Sequence, residues 1–134
     1  MTAQPALPDV EDVLIGWLPS QLGDVRMVTS VPENLLGSVP LLQVRRVTGA
    51  VSSRTQDAAI VDLHAFAVDD AGAAQLAIQA ETVLLGSHNI TTGGAVVRNV
   101  ESVARPHWLE YVDTNVQLYT ATYTIRLHPV PAGA

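Results

Sequence analysis

From Val116 to His128 apolar and polar side chains alternate. Tyr119, Ala121, Tyr123, Ile125 and Leu127 fall on one face, and Leu118, Thr120, Thr122, Thr124, Arg126 and His128 on the other. A period of two over this length, in residues that favour extended backbone, predicts a strand. One face is apolar and the other wet, which places the strand in a sheet covered by helices on one side only. It is long for a small domain, and its polar face offers a rail to something outside the domain.

The same reading gives the other elements. Asp9 caps a helix whose apolar stripe is Val10, Val13, Leu14, Trp17 and Leu18, with Glu11 and Asp12 in its first turn. Val25 to Ser30 reads as a short strand, followed by a proline-bounded loop to Pro40 and a strand from Leu41 to Thr48. Residues 49–56 read as a polar turn joining a hairpin to a third strand, Ala58 to Val68. Asp69-Asp70 caps a second helix, reaching about Leu85, with Ala73, Leu76, Ala77, Ala80 and Leu84 on one face and Gly86 at its end. Residues 86–94 read as a loop, Ala95 to Val103 as a fourth strand, and Arg105 to Asn115 as a long connection into the last strand. These elements predict an α+β fold, a mainly antiparallel sheet of about four to five strands with two helices packed on one face. The 134 residues are expected to form a single domain, with residues 1–8 a flexible arm and 129–134 a flexible tail.

Charge narrows the function classes. The net charge is −6, and the seven basic residues are all arginine. An acidic, lysine-free chain repels a polyanion, which argues against DNA binding through phosphates but not against a passage through which DNA slides. There is no cysteine, hence no disulfide, thiolate nucleophile or cysteine metal site. No signal peptide is expected, because no basic stretch precedes an apolar run, and no window reaches the ~20 apolar residues of a membrane helix. The hydrophobic fraction, 48%, suggests surface buried against other subunits or an alanine-rich bias of the source.

Catalytic signatures are absent. Gly93-Gly94 opens a strand rather than a helix and no lysine follows it, so there is no phosphate loop; Gly-x-Ser-x-Gly does not occur. Asp62 and His64 share a strand face that His128 could neighbour, a set able to hold a divalent metal. The competing reading is a wet sheet face meeting solvent or a subunit, and no metal, cofactor or catalytic residue is expected. His88 and His107 read as surface loop residues. Asp69-Asp70 reads as a helix cap, and Glu110 with Asp113 as solvated loop carboxylates. Arg45 and Arg46 are adjacent in a strand, so they point to opposite faces and one must look toward the helices or the strand's end. They read either as charges that deter unwanted edge pairing or, with Arg54, as inter-subunit ion-pairing groups. Trp108 and Tyr111 read either as docking anchors or as aromatics folded over the core's edge.

The order of elements and several local strings resemble the tail terminator (tail completion, head–tail joining) proteins of long-tailed bacteriophages. The strings are the opening helix Val10–Leu18, the Pro-led strand Pro40 to Gly49 with its two arginines, and the strand from Asp57 to Phe66-Ala67. The alanine-rich helix Ala71–Leu85, the Pro- and Trp-containing segment and the terminal Tyr/Thr strand complete the likeness, which spans about residues 9–128. The segment 105–115 departs from the family pattern. The resemblance implies a non-enzymatic virion protein, assembled in the host cytoplasm, that forms a hexameric ring. Such a ring caps the tail tube protein, stops its polymerisation, meets the head-completion or connector protein, and lets DNA through unbound, with no membrane involved. A neighbouring connector or stopper ring is the near alternative. A small-ligand-binding or enzymatic α+β domain is the alternative from another class, favoured by a pocket on which Asp62, His64 and His128 converge.

Overall fold

A computed structural model of the chain describes residues 6–53 and 55–130, the side chains of 50–53 excepted. The elements in order are α1 (Val10–Gln21), β1 (Arg26–Val28), β2 (Leu41–Ser53), β3 (Gln56–Ala67), α2 (Asp70–Leu85), β4 (Ile90–Thr92), β5 (Ala95–Leu109) and β6 (Gln117–Pro129). Both helices start where the capping residues stand. The Asp9 carboxylate accepts from the Glu11 amide at 2.9 Å and the Asp69 carboxylate from the Gly72 amide at 2.6 Å, each satisfying a donor that has no partner inside its helix.

The fold is α+β and the sheet mainly antiparallel as expected, but among the described residues it has six strands, in the order β1-β2-β3-β6-β5-β4, and β1 runs parallel to β2. The count of about four to five is corrected by β4, three residues in a segment read as a loop. Asn89 and the Gly93-Gly94 pair adopt positive φ, which lets the chain turn tightly on both sides of Ile90–Thr92. Three residues are too few for a period to show. The connection expected from Arg105 onward is also corrected, since β5 continues to Leu109. Three register shifts against β6 scramble its alternation, and Pro106 is tolerated on an outer strand that needs no ladder donor there. The turn expected over residues 49–56 is instead mostly hairpin, pairing Gly49 with Ala59 and Ala50 with Ala58.

The main core lies between the helices and one sheet face. Val10, Val13, Leu14 and Leu18 of α1 and Leu76, Ala77, Ala80 and Leu84 of α2 pack on Leu42, Val44, Val61, Leu63, Ala121, Tyr123, Ile125 and Leu127. Tyr123, Ile125 and Leu127 are fully buried, so the period of β6 marks the helix side correctly. The alanines of α2 allow close approach of its backbone to the sheet. α1 touches β1 and β2 and also β4 at the far end of the strand order, so the sheet curls round the helices. A second, smaller cluster sits on the opposite face, where Leu35 and Val116 from loops cover Leu41, Phe66 and Leu118. That end of the face expected to be wet is therefore dry. Val130 continues the chain past β6 by donating its amide to the Gly94 carbonyl at 3.0 Å. No helix among the described residues is long and apolar enough to cross a membrane.

Candidate functional site

The surface available for contacts is the sheet face away from the helices, together with the two long outer strands β2 and β5. Arg45 and Arg46 diverge as strand geometry requires. Arg46 lies on the helix side and is used within the chain. Its guanidinium forms two bonds to the Asp57 carboxylate, 2.5 and 2.9 Å, and its backbone amide donates to Glu11 of α1 at 2.8 Å. Asp57 is buried, so its charge is tolerable only with this bidentate partner. Arg45 is exposed on the other face, in register with Asp62 of β3, and no ion pair or hydrogen bond engages its side chain among the described residues. Arg54 lies outside the described residues.

Trp108 projects from β5, 52% exposed, with its indole N–H donating to the Gln117 side chain at 3.2 Å. Tyr111 folds back instead. Its ring meets Phe66 edge-on at 5.2 Å between centroids, which closes the second hydrophobic cluster. Leu109 and Val112 are exposed beside Trp108, so this end of β5 presents apolar surface.

Asp62, His64 and His128 do share a face, but they do not converge. His64 pairs across with Thr120 and His128 follows eight positions along β6, a separation of about 26 Å at strand rise. The Asp62 carboxylate accepts from the Thr122 hydroxyl at 2.6 Å, and His128 Nδ1 lies 2.8 Å from the Pro129 carbonyl oxygen. Among the described residues no group of three or more potential ligands is placed to hold a metal ion. Burial holds the His64 pKa below its ordinary value, opposed by the negative charge of Asp62. A groove of about 400 Å³ at the start of α2 is lined by residues such as Val25, Pro40, Asp69 and Leu76, and none of the three lines it.

Two internal constellations escaped the sequence reading. Glu81, buried on α2, accepts from the hydroxyl of buried Tyr123 at 3.1 Å and from Arg105 of β5 at 2.9 and 3.1 Å. The Tyr123 hydroxyl is pushed well above its ordinary pKa by burial and then by the Glu81 charge. Glu81 occupies the i+4 position from Ala77, on the apolar stripe itself, which was the available signal. Asp57 gave the same kind of signal, an acid on the inward phase of Ala59 and Val61. A third pair, Arg126 with Glu101 at 2.8 Å, ties β6 to β5 on the open face.

The surface therefore carries exposed strand edges, an exposed arginine and an apolar strand end. The profile of the phage tail termination protein family matches residues 6–94, two thirds of the sequence. The chain belongs to the phage tail termination protein family. The match takes in α1 through β4, including the Arg46–Asp57 pair and the buried Glu81. Among solved structures, one chain of the virion of a native gene transfer agent particle superposes with a TM-score of 0.59 at 14% identity, over 84% of each chain. At that identity the likeness speaks for a shared fold. No curated protein matches the sequence. Membership of the family makes this a structural protein of the phage tail, located in the virion, and its contacts are with other virion proteins.

Proposed function

We propose that this tail protein forms a hexameric ring on the head-proximal end of the tail tube, stops addition of further tube subunits, and presents its other face to the head connector. The observation that carries the reading is the family match over residues 6–94. The physics is consistent with it. A head-to-tail contact whose rotation closes gives a ring with two unlike faces. One face can reproduce the docking surface of the tube while the other does not, so growth ends there. With a net charge of −6 and no lysine, such a ring offers DNA a passage with few phosphate grips.

Light scattering across a concentration series tests the ring in solution, and growth of tube protein in the presence of the chain tests termination. The reading expects a six-fold multiple of the 14.2 kDa chain, alone or once tube ends are supplied, and tubes whose elongation halts. A chain that stays monomeric both alone and with tubes, and leaves elongation unchanged, contradicts it.

A further inference from the structure

Each of the two long outer strands is only partly covered. β1 pairs with Leu41–Gln43 of β2, and Glu11 takes the amide of Arg46, so among the described residues no strand pairs with the outer edge of β2 from Val47 onward. β4 pairs with Ala95–Val97 of β5, and the Asn89 amide takes the Arg98 carbonyl, so among the described residues no strand pairs with the outer edge of β5 from Asn99 onward. Open edges of this length are usually blunted or used.

Both edges are blunted except in one window each. Register shifts in β2 fall between Arg46 and Thr48 and between Val51 and Ser53, leaving Thr48–Val51 in unbroken register with β3, with Gly49 at φ +145° among them. Those in β5 fall between Val97 and Asn99 and again after Ser102, leaving Asn99–Ser102 regular. The two windows lie at the same level of the sheet. Thr48 pairs with Ile60, Ile60 with Thr124, and Thr124 with Glu101, in one row across β2, β3, β6 and β5. The next rows join Gly49 to Val100 and Ala50 to Asn99 in the same way.

We propose that the joint between copies is formed within these windows, Thr48–Ala50 of one copy pairing antiparallel with Asn99–Glu101 of the next. The inference rests on the ring reading and specifies its contact. The occupant of each edge is a second copy because strand direction fits: β2, β3, β6 and β5 alternate, so a neighbour's β2 beside β5 continues the alternation. Because the windows share rows, the step from copy to copy needs little displacement along the strands. The exposed valines, Val47 at 53% and Val103 at 59%, flank the two windows and meet at one end of the joint. Closing the ring leaves neither window unpaired.

The absence of cysteine allows a direct test in the full chain. Thr48 and Glu101 of one molecule are three strand spacings apart, about 14 Å, well past the ~7 Å limit for a disulfide. In a Thr48→Cys, Glu101→Cys double variant any bridge between them must therefore join two copies. Oxidation of assembled protein should give a covalent ladder ending at the ring, with either single variant staying unlinked. Amide exchange on the unaltered protein guards against a folding defect in the variant, and the amides of Asn99–Glu101 that face away from β6 should become protected on assembly. Rings or capped tails in which the cysteines stay unlinked, or in which these amides exchange as in the free chain, overturn the proposed joint and leave the ring reading standing. Failure to form rings in solution or on tubes overturns both.

Discussion

The Glu81 carboxylate shows how one side chain joins layers. It is 5% exposed, yet it holds the buried Tyr123 hydroxyl on β6 and the Arg105 guanidinium on β5 from a helix otherwise lined with alanine and leucine. Removing it strands the Tyr123 hydroxyl, so Glu81→Ala is expected to cost about 2–4 kcal/mol. Tyr123→Phe leaves Glu81 bound to Arg105 and should cost less, about 1 kcal/mol. Urea unfolding of the two variants checks the order. His64 gives a pH signature. Its folded pKa is lowered, chiefly by burial, from the ordinary 6.5, so below that pH the unfolded chain takes up a proton that the folded chain resists. Stability is therefore expected to be full above about pH 6.5 and to fall as the solution is acidified through the lowered folded value. Melting temperature followed from pH 7.5 downward should show the fall, and His64→Gln should flatten it.

At the scale of elements, what the sequence reveals depends on how regular the element is. The helices and β6 were legible because Asp9, Asp69 and an unbroken alternation sit where geometry demands them. β5 was read short because its bulges break the period and Pro106 looks like a strand's end. β4 left no period at all, and the parallel pairing of β1 depends on a partner fifteen residues away in the register Arg26 to Leu41. At the candidate surface, the divergence of Arg45 and Arg46 was legible from adjacency, but the claim of Asp57 on Arg46 was not, since it depends on a register across the hairpin. The same hairpin contains the tightest glycine among the described residues. Gly49 has φ +145°, and a Cβ there would lie 2.3 Å from the Ala58 carbonyl oxygen, a backbone atom that cannot swing aside. Gly49→Ala is expected to cost about 1–3 kcal/mol and to loosen the end of the β2–β3 hairpin. Faster amide exchange in residues 56–59 than in residues 61–65 would locate the damage; equal protection with unchanged stability would contradict it.

At the scale of the molecule, the arrangement suits a building block. Helices cover one face, a small second core seals one end of the other, and the outer strands remain open between their guarded segments. Nothing in the positions of Asp62, His64 and His128 gathers them for chemistry, and the family to which the chain belongs builds phage tails. The proposed ring would act through its copies, so the decisive observation is made on tails rather than on the isolated chain. That measurement is electron microscopy of tail tubes grown with and without the protein. The account predicts a single six-fold ring, one subunit layer thick, on one end of every tube that has stopped growing, and overlong bare-ended tubes when the protein is left out. Tubes of the same length in both samples, with no added density at either end, would contradict it.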